Sequence, residues 1–212
     1  MILRLKDFTV FTTDGQRILS KPLSFSFISN PSFIIGANGT GKSALVHSIA
    51  GSTYTTKGQI SFNDVDLNGV NDVDRSKMGI FLSWQTPPNF RGVKIRDFFV
   101  SYLLPTHDPL EVMEKLRHCC DLLSLTECFL DKELHYECSG GESKKIELLQ
   151  LFLLRPKLAL LDEIDSGLDQ GSLLKAIAEI ELMRDDTQFI IVTHNRDLIS
   201  AYAHHTPQTL EL

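Results

Sequence analysis

Two hydrophobic patterns alternate along the chain, and their order predicts the fold class. In the first third, apolar and polar residues alternate in short runs that turn residues separate, which is typical of β-strands. In the last third, short uninterrupted apolar runs alternate with stretches of helical periodicity. Uninterrupted apolar strands are typical of a parallel sheet that helices cover on both faces. The predicted fold class is therefore α/β.

The predicted elements follow a definite order, with a turn at Asp14-Gly15 and a first helix that ends at Gly51. Strands are predicted at 1–10, 23–27, 32–35, within 58–67, and at 79–82, 158–161 and 189–193. Helices are predicted at 43–50, within 93–130, and at 142–154 and 173–183. Because 93–130 is helical between strands, we expect the middle of the chain to be a helical insert in the sheet domain.

Composition narrows the class of protein. The net charge is −6, whereas proteins that bind phosphate backbones usually carry a basic surplus, so nucleic acid is not an expected partner. A membrane span needs about 20 apolar residues, and the longest apolar runs here are short, such as 158–161 and 189–192. The N-terminal residues also have no signal-peptide core. We therefore expect a soluble, cytoplasmic protein without membrane insertion. The cysteines Cys119, Cys120, Cys128 and Cys138 lack CxxC spacing and are expected to be reduced thiols.

The most specific motif is a glycine-rich loop between a predicted strand and a predicted helix. It fits the pattern G-x-x-x-x-G-K-[ST] and comprises Gly36, Ala37, Asn38, Gly39, Thr40, Gly41, Lys42 and Ser43. Glycines let backbone N–H groups approach a phosphate, and the positive end of the following helix points at the same group. Lys42 supplies charge to the β- and γ-phosphates, and the Ser43 hydroxyl is a ligand for Mg²⁺. The motif therefore predicts a site for ATP and Mg²⁺.

A carboxylate for the metal is predicted at the end of the apolar run 158–161. Asp162 follows this predicted strand directly, and open α/β sheets bind ligands at the carboxyl ends of their strands. We expect Asp162 to hold Mg²⁺ through water, and Glu163 to polarise the attacking water. Any buried strand can end in two acidic residues, but the glycine-rich loop upstream makes a metal site the stronger interpretation.

A second helix start contains glycines and precedes the predicted helix 142–154. Ser139 is suited to cap a helix, and Gly140 and Gly141 leave backbone N–H groups accessible to an anion. By themselves these residues indicate only an ordinary capped helix. Their position between the glycine-rich loop and the Asp162 strand favours a second phosphate contact.

Taken in order, the motifs resemble those of the nucleotide-binding domain of the ABC ATPase superfamily. The matching segments are GANGTGKS (36–43, Walker A), Gln85 (Q-loop), CSGGE (138–142, signature), LALLDE (158–163, Walker B), SGLD (166–169, D-loop) and His194 (switch). The resemblance implies a P-loop NTPase (RecA-like) core with an antiparallel β subdomain and an inserted α-helical subdomain. It implies a single ABC ATPase domain over 1–212, with the core and β subdomain at 1–85 and 151–212 and the helical subdomain at 86–150.

The same resemblance implies roles for the site residues. Two chains are expected to pack head to tail around ATP, so that Ser139, Gly140 and Gly141 of one chain contact the γ-phosphate bound by the other. Glu163 would be the catalytic carboxylate, His194 would sense the γ-phosphate, and Gln85 would contribute to catalysis and to Mg²⁺ binding. The helical subdomain would face the partner protein.

Three segments resemble, within this superfamily, the SufC type, the soluble ABC ATPases of iron–sulfur cluster assembly. They are GIFLSWQTPPNFRGV (79–93), SGGESKK (139–145) and LLDEIDSGLD (160–169), and the Asp165 in the last of them is typical of that type. The likeness implies a scaffold of SufB/SufD-like proteins as the partner, whose shape ATP binding would change. Two alternatives stay open, an ATPase subunit of an ABC membrane transporter and a binding module that barely hydrolyses ATP.

The chain also departs from the family pattern. The signature begins with Cys138 in place of Leu and ends with Glu142 in place of Gln, and Phe11 is the nearest candidate for an adenine-stacking aromatic. The family usually continues beyond the equivalent of Leu212 with a strand hairpin and a helix, so the chain is either a compact version or cut. Lys144 could hold Glu163 away from ATP in a resting state; the alternative is a solvated surface lysine.

Overall fold

The computed structural model of the chain describes residues 1–52, 54–103 and 108–212. These residues form two compact units. The first unit comprises 1–83, 156–164 and 183–212, and the second comprises 84–155 and 165–182. The expected division placed 165–182 with the core, whereas in the structure these residues group with the helical residues.

The described residues form nine strands and seven α-helices. The strands are β1 (Leu3–Phe11), β2 (Leu23–Phe27), β3 (Ser32–Ile35), β4 (Thr55–Phe62), β5 (Val65–Asp66), β6 (Ile80–Ser83), β7 (Leu158–Asp162), β8 (Gln188–Val192) and β9 (Gln208–Glu211). The helices are α1 (Lys42–Ala50), α2 (Asp72–Lys77), α3 (Ile95–Leu103), α4 (Pro109–Leu122), α5 (Gly140–Leu154), α6 (Gln170–Met183) and α7 (Arg196–Ala201). Every predicted strand and helix is confirmed; α2, α7 and β9 were not predicted.

The first unit contains an antiparallel sheet and a parallel sheet. The antiparallel sheet has the strand order β2-β1-β4-β5, and its turn at Asp14-Gly15 is confirmed by the hydrogen bond from Gly15 N to Thr12 O. The parallel sheet has the order β6-β7-β8-β3-β9. All residues of β7 and β8 are buried, as expected of central strands covered on both faces. The carboxyl ends of β3, β7 and β8 consequently lie at the same edge of one sheet.

Helix α1 is the element that joins the two sheets of the first unit into one core. Its apolar residues Leu45 and Ile49 belong to a buried cluster with Phe8 of β1, Leu160 of β7 and Ile190 of β8. The helix ends at Gly51, which adopts a left-handed backbone conformation and whose N–H donates to Ser48 O, as predicted. The amino-terminal end of α1 is therefore held firmly over the edge of the parallel sheet.

Helix α2 was not predicted because its sequence, DVDRSK, is mostly charged and shows no helical periodicity of apolar residues. Its Arg75 is nevertheless buried, and its guanidinium donates to the carbonyls of Ser48 and Ile49 at the end of α1. The guanidinium also donates to Leu67 O and Val70 O, so Arg75 bonds carbonyls both at the end of α1 and in the segment that precedes α2.

The second unit is built on helices. The predicted helical stretch 93–130 is confirmed as α3 and α4, with residues 104–107 outside the described residues, followed by a short 3-10 helix at Glu127–Asp131. Helix α5 contributes Leu148 and Phe152 to the buried residues of this unit, and α3 contributes Phe99. Among the helices that the structure describes, none has both the length and the apolar character needed to cross a bilayer.

Candidate nucleotide-binding site

The glycine-rich loop runs from the end of β3 to the start of α1, with its tip exposed. Gly36, Gly39 and Gly41 all have positive φ, at 149°, 83° and 100°. A Cβ at Gly41 would lie 2.9 Å from Ile18 Cγ2, so both the backbone conformation and the available space require glycine there. Thr40 N–H donates to Ala37 O at 3.4 Å, which closes the loop on itself.

Lys42 directs its ammonium into this loop rather than into solvent. Its side chain is buried, and Nζ donates to Gly36 O and Ala37 O, each at 2.9 Å. Helix α1 begins at this residue, and the preceding Gly41 provides no side-chain cap. The first N–H groups of a helix lack intrahelical partners, so these groups and the Lys42 charge together favour an anion at the loop.

The predicted metal ligands Ser43 and Asp162 are adjacent in the structure. Ser43 Oγ donates to Asp162 Oδ1 at 3.2 Å, and the carboxylate is fully buried at the end of β7. Oxygen donors of this kind suit a hard cation such as Mg²⁺. The oxygen donors of Ser43 and Asp162 therefore fit the ion that the motif predicts.

His47 is a residue of this site that the sequence analysis missed. Its Nε2 lies 3.5 Å from Asp162 Oδ2, the carboxylate oxygen that does not accept from Ser43. Ser43 and His47 are four residues apart on α1 and therefore lie on the same helix face. That spacing was the available signal, but a lone histidine on a short helix does not indicate a carboxylate partner by itself.

Glu163 and His194 face each other beyond the ends of β7 and β8. His194 Nε2 lies 3.8 Å from Glu163 Oε1, and both side chains are partly exposed. Glu163 N–H donates to Val192 O, while its backbone adopts a left-handed conformation with φ at 50°. Such a conformation is uncommon outside glycine and is found preferentially at functional sites. The pair leaves a carboxylate and an imidazole accessible at the sheet edge.

The remaining predicted residues, Gln85, Ser139, Gly140 and Gly141, belong to the second unit. Gln85 is exposed. Ser139 caps α5 through a complete capping box, in which Ser139 Oγ accepts from Glu142 N–H and Glu142 Oε2 accepts from Ser139 N–H. The structure thus brings the loop 36–43, Asp162, Glu163 and His194 together in one unit.

The start of α5 packs closely on the segment after the Walker B motif. A Cβ at Gly141 would lie 2.6 Å from Gly167 O, so no larger residue fits without a backbone shift. Lys145 Nζ lies 3.6 Å from Asp169 Oδ2, and hydrogen bonds from Ser172 lower the pKa of Asp169 to about 2. A cavity of about 400 Å³ borders Ser139, Gly141 and Gly167.

The structure also bears on the expectations for Lys144, for the four cysteines and for Phe11. The solvated alternative for Lys144 is wrong, because its side chain is buried and Nζ donates to Trp84 O at 2.8 Å. The four cysteines are free thiols, and burial raises the pKa of Cys119 to about 12 and that of Cys120 to about 11. Lys57 Nζ lies 5.3 Å from the centroid of the Phe11 ring, and the adenine-stacking role of Phe11 stays a prediction.

A protein-family model described as ABC transporter matches residues 23–166. The chain belongs to the ABC transporter family. A probable ATP-dependent transporter, ycf16, of Cyanidium caldarium is 38% identical over 177 residues, which are 78% of this chain and 70% of the relative. An iron-sulfur cluster assembly protein SufC of Plasmodium falciparum is 32% identical over 214 residues, covering 93% of this chain and 60% of the relative.

Solved structures agree with this family assignment at the level of the fold. The structure of an ATP binding subunit of an ABC transporter superposes with a TM-score of 0.81 and 20% identity, covering 100% of this chain and 86% of that one. The predicted fold, an α/β P-loop NTPase core of ABC ATPase architecture, is therefore confirmed. The resemblance of the motifs to ABC ATPases is confirmed with it.

Proposed function

We propose that this ABC family chain binds ATP with Mg²⁺ at the loop 36–43 and hydrolyses it to ADP and phosphate. The observation that carries the proposal is the convergence of two side-chain pairs on one sheet edge. Ser43 and Asp162 are joined by a hydrogen bond, and Glu163 and His194, which follow the ends of β7 and β8 by one and two residues, face each other. A cation site beside an accessible carboxylate is the arrangement that phosphoryl transfer to water requires.

Each of these residues has a role that follows from its position. Lys42 and the N–H groups at the start of α1 hold the β- and γ-phosphates, because they concentrate positive charge at the loop. Ser43 and Asp162 hold Mg²⁺, which when bound neutralises charge on the phosphate oxygens. Glu163 orients the attacking water and accepts its proton while the bond to the ADP oxygen breaks. His194 contacts the γ-phosphate and keeps the Glu163 carboxylate turned toward it.

The second part of the proposal is an ATP-dependent dimer in which two chains pack head to tail. In it, Ser139, Gly140 and Gly141 contact the γ-phosphate bound by the other chain, and Gln85 contributes to the cation site. Two features support this assignment. The start of α5 is exposed at Ser139 and Gly140, and a Cβ at Gly140 would meet nothing within 4 Å, so a phosphate can approach the helix end.

The third part concerns the partner. We propose that the chain acts in the cytoplasm on a SufB/SufD-like scaffold during iron–sulfur cluster assembly, through the helical residues 86–150. The SufC relative supports this partner, as do the exposed apolar side chains of Phe90 and Val93, which follow Gln85. The alternative is an ATPase subunit of a membrane transporter, which the name of the ycf16 relative favours.

Glu163→Gln tests the catalytic part of the proposal. The amide keeps the size of the side chain but cannot take a proton from water, so ATP should stay bound and the dimer should persist. We expect size-exclusion chromatography with Mg²⁺ and ATP to show a dimer for this variant and none without nucleotide. Glu179→Gln, a change on α6 at a carboxylate that pairs with Arg155, is the matched control. A persistent monomer with full ATPase activity would contradict the assignment of Glu163.

The partner is tested by affinity capture from native cells, separated into aqueous and detergent fractions. Scaffold proteins that bring iron or sulfide in the aqueous fraction would support the assembly role. Recovery only with a membrane protein of several spans would make the chain a transporter subunit and would remove the scaffold from the proposal.

A further inference from the structure

Three ionisable side chains are buried together in the second unit, outside the residues assigned above. His135, Lys144 and Glu147 are exposed by only 4%, 4% and 2%. Removing charged groups from water costs several kcal/mol per group unless hydrogen bonds compensate for it. We refer to these three residues as the Trp84 anchor, because Lys144 and Glu147 bond the backbone of Trp84 and His135 contacts Glu147.

The anchor holds both polar groups of the Trp84 backbone. Trp84 N–H donates to Glu147 Oε2 at 2.9 Å, and Lys144 Nζ donates to Trp84 O at 2.8 Å. Lys144 and Glu147 are three residues apart on α5 and so lie on one helix face. The carbonyl that Lys144 holds belongs to the peptide bond between Trp84 and Gln85. The direction in which the chain enters Gln85 is therefore set by α5, the helix that Ser139 caps.

His135 orients the carboxylate of this anchor. Its Nε2 lies 3.3 Å from Glu147 Oε1, so the two oxygens of Glu147 face different partners. Its backbone is left-handed, with φ at 57°, a conformation in which histidine is enriched among non-glycine residues. Within the described residues, His135 Nδ1 is buried and has no hydrogen-bond partner, so the ring is not placed there by a second bond of its own.

The backbone beside His135 connects the anchor to the exposed residues that follow Gln85. Phe90 N–H donates to Leu134 O at 2.9 Å, and Leu134 N–H donates to Val93 O at 2.8 Å. The segment from Trp84 to Val93 is consequently bonded at one end to α5 and at the other end to Leu134. Gln85 lies within this segment and directly follows Trp84, which the anchor holds.

We infer that Glu147, oriented by His135, is a positioning residue for Gln85. Together with Lys144 it fixes the Trp84–Gln85 peptide to the signature helix, so that the Gln85 side chain is presented in one orientation. The inference rests on the proposed function for the role of Gln85, but the position of Trp84 that it asserts does not depend on nucleotide. Loss of the Glu147 carboxylate should release Trp84 first and disturb the cation site as a consequence.

Trp84 is the only tryptophan in the chain, so its fluorescence reports this position without a label. The experiment compares the full chain with Glu147→Ala, the conservative Glu147→Gln and the control Glu179→Ala. Glu179 is a suitable control because it is a mostly buried carboxylate on α6 that pairs with Arg155, 3.3 Å away. Quenching of Trp84 by acrylamide is measured without nucleotide. ATP affinity without Mg²⁺ and the Mg²⁺ concentration that half-saturates hydrolysis are measured next.

For Glu147→Ala we expect stronger quenching of Trp84 and an increase of about tenfold in the half-saturating Mg²⁺ concentration, the size typical of a lost hydrogen bond to a charged group. ATP affinity without Mg²⁺ should be unchanged, since the loop 36–43 is untouched. Glu147→Gln should recover most of the native behaviour, because its amide oxygen still accepts from Trp84 N–H. Glu179→Ala should match the native chain in all three measurements.

Native quenching of Trp84 together with a native half-saturating Mg²⁺ concentration in Glu147→Ala would overturn the inference. If Glu147→Ala does not fold, His135→Ala is measured instead, for which smaller shifts in the same direction are expected and native values would again overturn it. If the native chain neither binds nor hydrolyses ATP, the proposed function fails, and the quenching measurement still decides the position of Trp84.

Discussion

The helix starts at α1 and at α5 both contain or follow glycines, and they satisfy their backbone N–H groups differently. Helix α1 follows Gly41, which offers no side chain to its first turn. Helix α5 follows Ser139, and its capping box is closed by Glu142. Glu142 also accepts a hydrogen bond from Lys132 Nζ at 2.6 Å. The start of α1 is therefore left more fully to a ligand, whereas at α5 the N–H groups of Ser139 and Glu142 are already paired.

This difference indicates different roles for two ends that look alike in the sequence. An anion at α1 meets uncapped N–H groups and the buried ammonium of Lys42. An anion at α5 meets a turn that already contains a carboxylate, which repels it. In the proposed dimer the start of α1 supplies most of the ATP affinity, and the start of α5 adds a weaker contact that depends on the second chain.

The largest expected effect is that of Lys42→Ala, which removes the charge at the start of α1. ATP affinity should fall by about 100-fold or more, equivalent to about 3 kcal/mol, the size found when one preorganised charged donor is lost. Isothermal titration calorimetry measures the change. Lys77→Ala is the control, since Lys77 is exposed and pairs with Asp74. Equal ATP affinities in the native chain and in Lys42→Ala would refute the assignment of the loop.

The next effect concerns Gly141→Ala, for which Gly140→Ala is a closely matched control. A Cβ at 141 would lie 2.6 Å from Gly167 O, whereas one at 140 would meet nothing within 4 Å. Overpacking of this kind costs about 1–3 kcal/mol, so Gly141→Ala should lower the melting temperature and weaken the ATP-dependent dimer. Gly140→Ala should keep its melting temperature. Analytical ultracentrifugation and thermal unfolding check both variants. Identical behaviour of Gly141→Ala and Gly140→Ala would show that the backbone at Gly167 shifts at little cost.

The smallest effect is expected for Glu142→Gln, which keeps the acceptor of the capping box but removes the carboxylate charge. The dimer should become tighter by a few fold, because the start of α5 no longer repels phosphate. The same titration with ATP in the Glu163→Gln background measures the dimer. A weaker dimer would show that the carboxylate assists the contact.

The effect of Glu142→Gln on the melting temperature should depend on pH. Hydrogen bonds from Lys132 and from the Ser139 backbone lower the pKa of Glu142 below its usual range. Because the pKa of Glu142 is lowered in the folded chain, its ionised carboxylate stabilises the fold at pH values above the ordinary pKa of glutamate. This stabilisation is lost as the pH falls through the pKa of the folded chain. The melting temperature of Glu142→Gln should therefore lie slightly below that of the native chain at neutral pH and approach it below about pH 4. A difference that grows in acid would contradict this sign.

The elements around the loop were predictable because local patterns decide them. The apolar run of β7 followed by Asp162, and the glycines of the loop followed by Lys42, are each contiguous in sequence. Their backbone conformations follow from residue type, as the positive φ of Gly36, Gly39 and Gly41 shows. The convergence of Ser43 and Asp162 then follows from the rule that parallel strands end at one edge of the sheet.

The Trp84 anchor was not predictable in the same way. A lysine and a glutamate on a helix usually lie in solvent, and for Lys144 that alternative is wrong. Their partner, the backbone of Trp84, lies 60 and 63 residues away along the chain. No periodicity in α5 distinguishes a residue that faces this backbone from one that faces water. The burial of Arg75 could not be predicted for the same reason, since Arg75 lies on the mostly charged helix α2 and its partners are carbonyls at the end of α1.

The sequence alone determined the α/β class, the order of the strands and helices, and the residues of the loop and of the strand ends. It could do so because propensity, glycine conformations and apolar runs act over a few neighbouring residues. Only the tertiary structure decided which charged residues are buried, that His47 adjoins Asp162, and that α5 holds the peptide before Gln85. Those features depend on contacts between distant segments, where burial changes the cost of a charge and a hydrogen bond offsets it.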